Sequence, residues 1–368
     1  MPAIKPKFEF SKSHKITRRS LLFALGYCLV LSTTLSSCSE TKNNAQQSPA
    51  TSDSAASSNA SSNTTEKQTV RIVRSKQLTG LAVLEKQGSL EKRLEPLGFK
   101  VQWTEFAAGP QQLEAINANG LDIASTAESP PVFSQAAGAP LVYLATTYSS
   151  GKAVSLLVPV NSPIKSVADL KGKKVAFQKA SIGHYLLVKA LEKAGLKLSD
   201  VQSVFLPPPD ANVAFSQGKV DAWFIWEPFV TRNVQNKVGR VLVDGGELRD
   251  TGNFYSTSRQ FYEAHPDVIK VFLEELEKAE IWTKEHPKEV AQLLAPVTQL
   301  DSSILEIMHS KYNYGVLPIT EKTIIKQQEV ADKWYSLGLI PKKVDVKVGF
   351  LTPEEYAKIT PADVLANK

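Results

Sequence analysis

The residues with the clearest chemical potential sit at the ends of apolar runs. Ser125, Thr126, Glu128 and Ser129 follow the short apolar signal of Leu121 and Ile123. They precede a helix signal in which Val132, Phe133, Ala136 and Ala137 share one face. Ser129 suits the N-cap, Pro130 suits the first turn, where a missing N–H costs nothing, and Gly138 closes the helix. Free N–H groups at such a start, beside the hydroxyls of Ser125, Thr126 and Ser129, make a small anion site. The same pattern also describes an ordinary strand–loop–helix joint. A second group, Ser181, Gly183 and His184, opens another helix, with Ser181 as ligand contact or cap. A third, Arg74, Ser75, Lys76 and Gln77, follows the first strand, and Arg74 reads equally as an anion partner or a surface ion pair. Trp226 and Glu227 end a buried strand, a position from which α/β clefts draw ligand contacts. Trp226 suits a wall for the organic part of a ligand, and Trp223 suits core packing. Glu227 can accept from a ligand amine or hydroxyl, or pair with Arg74. Asp210, after three prolines, and Asn253 complete the candidates. Asp122 and Asp221 look alike and read as structural carboxylates at strand ends. The five histidines have no ligand-type spacing, so no metal and no cofactor is expected.

These groups need elements to hold them. Thr69–Arg74, Phe99–Glu105, Leu121–Ala124 and Leu141–Thr146 read as strands. Between them, Leu78–Leu94 reads as one helix with Gly88 inside it, and Gly109–Ile116 as another. A second unit repeats the plan. Strands at Ala153–Val158, Lys174–Phe177, Val201–Leu206 and Val220–Ile225 alternate with helices at Val167–Leu170, His184–Ala194 and Ala211–Gln217. Phe254–Ser258 reads as a return strand, and from Pro266 to Tyr335 the pattern is mostly amphipathic helix. Such β-α-β-α order predicts an α/β fold of two lobes, each a mainly parallel sheet flanked by helices, with a ligand cleft between them. The lobes are expected to hinge near Ser150 and near Asn253.

The first 37 residues read as an address label. Lys5, Lys7, Lys12, Lys15, Arg18 and Arg19 precede an apolar run, Leu21–Leu31, that is too short to span a bilayer stably. Leu35-Ser-Ser-Cys38 resembles the bacterial lipobox, which implies lipidation at Cys38 and a membrane anchor. The Arg18-Arg19 pair is compatible with a twin-arginine signal or with the general Sec route. The chain's net charge is +6. Almost all of it lies before Cys38, so the basicity belongs to the signal and does not argue for nucleic acid. The two cysteines, Cys28 and Cys38, fall in the signal and at the acyl site. The remaining chain therefore has no disulfide and must stand on its core, for which about 300 residues are ample. Ser39–Lys67 is Ser, Thr, Asn, Ala and Gln with little that is apolar, and reads as a flexible tether.

Several blocks resemble the solute-binding proteins of ABC importers for aliphatic sulfonates, within the group that also handles taurine and nitrate. They include Phe106–Asn117, Ser125–Gly138, Ser162–Phe177, Ser181–Leu187 and Pro209–Pro228. Thr126-Ala-Glu-Ser-Pro-Pro and Asp221-Ala-Trp-Phe-Ile-Trp-Glu-Pro carry the sulfonate-group features. Arg74-Ser75-Lys76 stands where the family often has Tyr-Gln-Lys, and Trp226-Glu227-Pro228 where it often has Trp-Asp-Pro. The resemblance implies a type II periplasmic binding protein fold and a small anionic organic ligand, a sulfonate. It also implies a permease partner and a periplasmic monomer. On that plan the chain divides into a signal (1–37), a tether (38–67), the first lobe (68–150 and 256–345), the second lobe (151–255) and a C-terminal extension (346–368). Taurine, nitrate or a pyrimidine precursor are alternative ligands. An enzyme on the same fold would need a nucleophile–base pair or metal cluster, and no GxSxG, HExxH or CxxC occurs. An adhesion or scaffold role would leave the cleft motifs without a purpose.

Overall fold

The computed structural model describes residues 67–367. The expected export signal, the lipidation site Cys38 and nearly all of the tether lie outside the described residues. The chain begins with β1 (Gln68–Val73), α1 (Gly80–Gln87), α2 (Ser89–Leu94), β2 (Phe99–Thr104), α3 (Gly109–Asn117), β3 (Ala124–Thr126), α4 (Ser129–Ala136) and β4 (Leu141–Thr147). A second set follows: β5 (Val154–Pro159), β6 (Lys174–Phe177), α5 (Ile182–Lys193), β7 (Gln202–Phe205), α6 (Pro208–Ser216), β8 (Ala222–Trp226), α7 (Phe229–Gln235) and β9 (Gly239–Asp244). The remainder is β10 (Phe254–Ser258), α8 (Arg259–Ala264), α9 (Pro266–Glu285), α10 (Pro287–Thr298), α11 (Ser302–His309), β11 (Val316–Leu317), α12 (Glu321–Ser336), α13 (Pro353–Ile359) and α14 (Ala362–Ala366).

The strands form two lobes of matching plan. The second sheet runs β7-β6-β8-β5-β9. In the first lobe a two-stranded piece, β2-β1, meets a four-stranded piece, β3-β10-β4-β11, at a parallel bridge between Ile72 and Ile123. The sheets are mainly parallel, as expected, but mixed: in each, most strands run one way and a minority run against them. In the second lobe β6 is parallel to β7 and β8, and β5 is antiparallel to β8 and β9. In the first, β10 is antiparallel to β3 and β4. In each sheet the strand that arrives from the other lobe, β5 or β10, runs against its neighbours, and in the first lobe the short β11 is antiparallel to β4 as well. The chain crosses at 148–153 and again at 245–253, the regions expected to hinge. There Gly151 faces Gly245 and Gly252 faces Thr147 so closely that a Cβ on Gly151 or Gly252 would meet backbone atoms.

The two carboxylates that looked alike do the same work in each lobe. The Arg71 N–H donates to Asp122 Oδ2 at 2.7 Å, and the Lys174 N–H donates to Asp221 Oδ2 at 2.7 Å. In return the Asp122 and Asp221 N–H groups bond the carbonyls of Arg71 and Lys174. Asp122 thereby fixes β3 beside β1, and Asp221 fixes β8 beside β6.

The helix read over Leu78–Leu94 is two helices. Gly88, at φ +63°, ends α1 in the left-handed conformation that glycine takes without steric cost. α9 shows why the C-terminal half is helical. Val268, Phe272, Leu276 and Ala279 recur at helical spacing and are all buried. The last segment is part of the first lobe rather than a separate extension. Phe350 stacks on Tyr143 at 4.3 Å, the Tyr356 hydroxyl donates to the Tyr143 carbonyl at 2.8 Å, and Asn367 donates to Glu277 at 2.6 Å.

Candidate functional site

A cavity of about 350 Å³ lies between the lobes, at the strand ends where the two crossings run. Arg74, Ser75, Lys76 and Gln77 line it after β1, and Ser125 and Thr126 line it at β3. Ser181, Trp226, Glu227 and Asn253 line it from the second lobe and the second crossing. The remaining candidates, Glu128, Ser129, Gly183, His184 and Asp210, are not among the residues that line it.

The reasons are local. Ser129 is the first residue of α4 rather than its cap, because Glu128 before it is already in helical conformation. The Ser129 hydroxyl donates instead to the Ala180 carbonyl of the other lobe at 3.0 Å. Glu128 is fully buried and takes both Nε and Nη2 of Arg249, at 3.1 and 2.8 Å. Gly183 is where α5 meets β8, since a Cβ there would lie 2.8 Å from the Phe224 carbonyl oxygen. His184 is buried between the rings of Phe177 and Trp334, each 4.7 Å away, and its Nδ1 accepts from the Ala180 N–H. Burial, with Lys179 nearby, pushes its pKa down to about 4, so its imidazole is neutral at pH 7. Asp210 is exposed in the first turn of α6, where a carboxylate favours the helix dipole.

The residues that do line the cavity divide into engaged and free groups. Arg74 Nε pairs with Glu85 at 2.7 Å, and Lys76 Nζ with Glu105 at 2.7 Å. The Ser125 N–H is held by Gln112 Oε1 at 3.0 Å. Glu227 has no exposed surface and does not meet Arg74. It accepts from the Thr231 N–H at 2.9 Å, the Thr231 hydroxyl at 2.8 Å and Lys311 Nζ. Trp226 is half-buried at the cavity, whereas Trp223 is fully buried between Phe215 and Phe229. Thr126 is 2% exposed, and its hydroxyl has no partner among the described residues. An unpartnered buried hydroxyl costs about 1–3 kcal/mol, which a ligand oxygen would offset.

Helix starts complete the arrangement. α5 begins at the cavity, capped by Ser181, whose Oγ accepts from the His184 N–H at 3.4 Å and donates to the Gln178 carbonyl at 2.7 Å. α3 also begins there, and it supplied no candidate although Gly109-Pro110 marked its start. Gly109 is required because a Cβ would lie 2.9 Å from Pro130 and 3.3 Å from the Thr126 side chain. Also unforeseen were Arg249, which bonds Asn253 Oδ1 at 2.8 Å as well as Glu128, and a patch of Tyr255, Glu280 and Tyr314. Tyr312-Asn313-Tyr314, a pair of aromatics after a helix, was the available signal for the last. Nothing local marks Arg249 or Glu280. Among the described residues no group of three or more His, Cys, Asp or Glu is placed to hold a metal, and no helix is long and apolar enough to cross a membrane.

The NMT1/THI5-like family model matches residues 96–290. A protein of Escherichia coli (strain K12) named as an aliphatic sulfonates-binding protein is 40% identical over 289 residues, covering 78% of this chain and 90% of that protein. One of the same name from Bacillus subtilis (strain 168) is 36% identical, covering 76% and 84%. Among solved structures, the alkanesulfonate-binding protein SsuA from Xanthomonas axonopodis pv. citri, bound to MOPS, superposes with a TM-score of 0.74 at 36% identity. That match covers 78% of this chain and 99% of the other.

Proposed function

The chain belongs to the NMT1/THI5-like family and, within it, to the aliphatic sulfonate-binding proteins, and from that premise we propose that its cleft captures an aliphatic sulfonate and delivers it to an ABC permease. The observation that carries this reading is the free hydroxyl of buried Thr126, set among the starts of α3 and α5. The Arg and Lys side chains that line the cavity already have partners: Arg74 with Glu85, Lys76 with Glu105, Arg249 with Glu128, and Arg232 with the Thr298 carbonyl. Binding therefore relies on neutral donors and helix dipoles. That suits a sulfonate, a monoanion with three weakly basic acceptor oxygens. Ser181, at the start of α5, supplies a hydroxyl from the second lobe, and Trp226 a wall for the organic chain. Arg74, Ser75, Lys76 and Gln77 shape the cleft from the first lobe.

The lobes close on the ligand by hinging at the two crossings, with 68–150 and 256–367 moving as one body and 151–255 as the other. Closure follows from contacts that both lobes make only in the closed form. The protein works as a monomer outside the cytoplasm, held to the membrane by a lipid on Cys38. It acts as a binding protein rather than an enzyme: the nearby histidines are engaged elsewhere, His184 buried with its Nδ1 on the Ala180 N–H, and His309 stacked on Tyr314 with its Nε2 at the Thr283 carbonyl. Calorimetry with alkanesulfonates, and native mass spectrometry of protein purified from cells, test the reading. A sulfonate co-purifying or binding in the cleft supports it. Failure of every alkanesulfonate to bind at millimolar concentration overturns it.

A further inference from the structure

Three carboxylates line the cavity: Glu105, Glu227 and Glu280. Glu105 is paired with Lys76, and Glu227 with Lys311. Glu280 has no cationic partner among the described residues, although only 3% of it is exposed. It stands on α9 beneath the start of α1. Its Oε1 accepts from the Gly80 N–H at 3.0 Å, and the Gly315 N–H also faces it. The contact is tight, since a Cβ on Gly80 would lie 2.6 Å from the Glu280 side chain. Thr79, at the cap position of α1, makes no side-chain cap bond. Glu280 thus takes that role with one oxygen.

Its neighbours point the same way. Tyr314 lines the cavity, is 8% exposed, and its hydroxyl has no partner among the described residues. Tyr255 also lines the cavity, and it pairs with Ser125 across β10 and β3. A continuous track therefore runs from the Ser125–Thr126 hydroxyls to Tyr255 and on to Glu280 and Tyr314. A buried carboxyl without a cation and a buried hydroxyl without a partner are both costly in an empty site. A single ligand group with protons to donate would satisfy both.

We propose that Glu280 and Tyr314 form a second polar pole of the cleft, which receives an ammonium or hydroxyl group on the ligand's chain, so that the favoured substrates are amino- and hydroxy-alkanesulfonates. This rests on the sulfonate reading above and adds the chemistry of the other end of the ligand. Glu227, the carboxylate that the sequence offered for this role, is closed off by Thr231 and Lys311. Burial raises the Glu280 pKa to about 7, so an incoming ammonium also stabilises its charged form.

The test compares isosteric probes: aminopropanesulfonate, hydroxypropanesulfonate and butanesulfonate, by calorimetry at pH 8. The parent is expected to prefer the amino compound to butanesulfonate by about tenfold or more, with the hydroxy compound between them. Glu280→Gln should abolish the preference for the amino compound, and Tyr314→Phe should reduce it severalfold. A purely structural role for either residue would lower all three affinities together and leave their ratio unchanged. Equal binding of the three probes by the parent, or a preference that survives both substitutions, overturns the second pole while leaving the sulfonate reading intact. Failure of all three probes to bind overturns both.

Discussion

Lys311 donates to Glu227 across the opening of the cleft, joining the segment before β11 in the first lobe to the end of β8 in the second. Lys311 also bonds the Thr231 hydroxyl at 3.0 Å, and Arg232 Nη2 reaches the Thr298 carbonyl at 2.6 Å beside it. Elsewhere between the lobes, Trp334 packs against His184 and Lys333 pairs with Glu192. The carboxylate at Glu227 is wholly buried, as is that of Glu128 paired with Arg249, so loss of either cation leaves a buried charge poorly compensated.

Lys311→Met should therefore destabilise the closed arrangement by about 1–3 kcal/mol. The effect stays below that of a fully buried pair because the Lys311 side chain is 25% exposed and Thr231 still serves Glu227. Small-angle scattering should show a larger radius of gyration without ligand. Alkanesulfonate affinity should fall about tenfold, in proportion to the lost closed population. Unchanged affinity and an unchanged radius would mean that the pair plays no part in closure.

Thr126→Val tests the anion pole. The substitution keeps the shape and removes an otherwise unpartnered hydroxyl, so the ligand-free protein should melt at the same temperature or slightly higher. Alkanesulfonate binding should weaken by about 1.5–3 kcal/mol, or tenfold to a hundredfold. A carboxylate of equal chain length should bind the parent less well, since it offers one oxygen fewer. Equal sulfonate affinity in Thr126→Val and the parent would move the anion elsewhere in the cavity.

What the sequence revealed about this site followed from distance along the chain. Thr126, Ser181 and Trp226 were legible because each ends a strand or opens a helix within a few residues of its own motif. Glu280 was not, because its partner Gly80 is 200 residues away. Glu128 stood in a local motif, but its partner Arg249 is 121 residues away in no local pattern, so their pairing was not readable. Fold class was readable from the alternation of apolar strands and helical periods, but which strands run against the rest was not. β5 is buried along nearly its whole length, and such a run looks the same whether its neighbours are parallel or antiparallel. Ser129 shows the reverse case. Its type and place suited a cap, and the tertiary contact to Ala180 gave the hydroxyl another use.

The lipid anchor is testable without reference to the cleft. Cys38→Ser, expressed in cells, should move the protein from the membrane pellet to the soluble periplasmic fraction. Ligand affinity should not change, because every residue that lines the cavity lies far along the chain from Cys38, from Val73 onward. Equal membrane retention of parent and mutant would remove the anchor from the proposed function.

Glu280 also makes stability depend on pH, in a direction opposite to that of a salt-bridged carboxylate. Its folded pKa, about 7, lies above the ordinary value of 4.5, chiefly through burial. Below 4.5 the carboxyl is protonated in both states and has no effect. Between 4.5 and 7 the unfolded chain gives up the proton while the folded protein keeps it, so stability falls as pH rises and levels off above 7. The total loss is about 3 kcal/mol. Facing groups shape the effect. Glu277, on the same helix, has its own pKa raised by burial and acts in the same direction, while Tyr255 and Tyr314 stay neutral throughout this range. His184, whose folded pKa of about 4 lies below the ordinary 6.5, opposes this effect below pH 6.5, so the Glu280 contribution is read as the difference between parent and Glu280→Gln. Relative to Glu280→Gln, ligand-free parent should lose several degrees of melting temperature between pH 5 and pH 8. Saturating aminopropanesulfonate should stabilise the parent more at pH 8 than at pH 6, because its ammonium favours the ionised carboxyl. Parallel melting curves for parent and Glu280→Gln across this range would show that the carboxyl reaches solvent and titrates as an ordinary surface group.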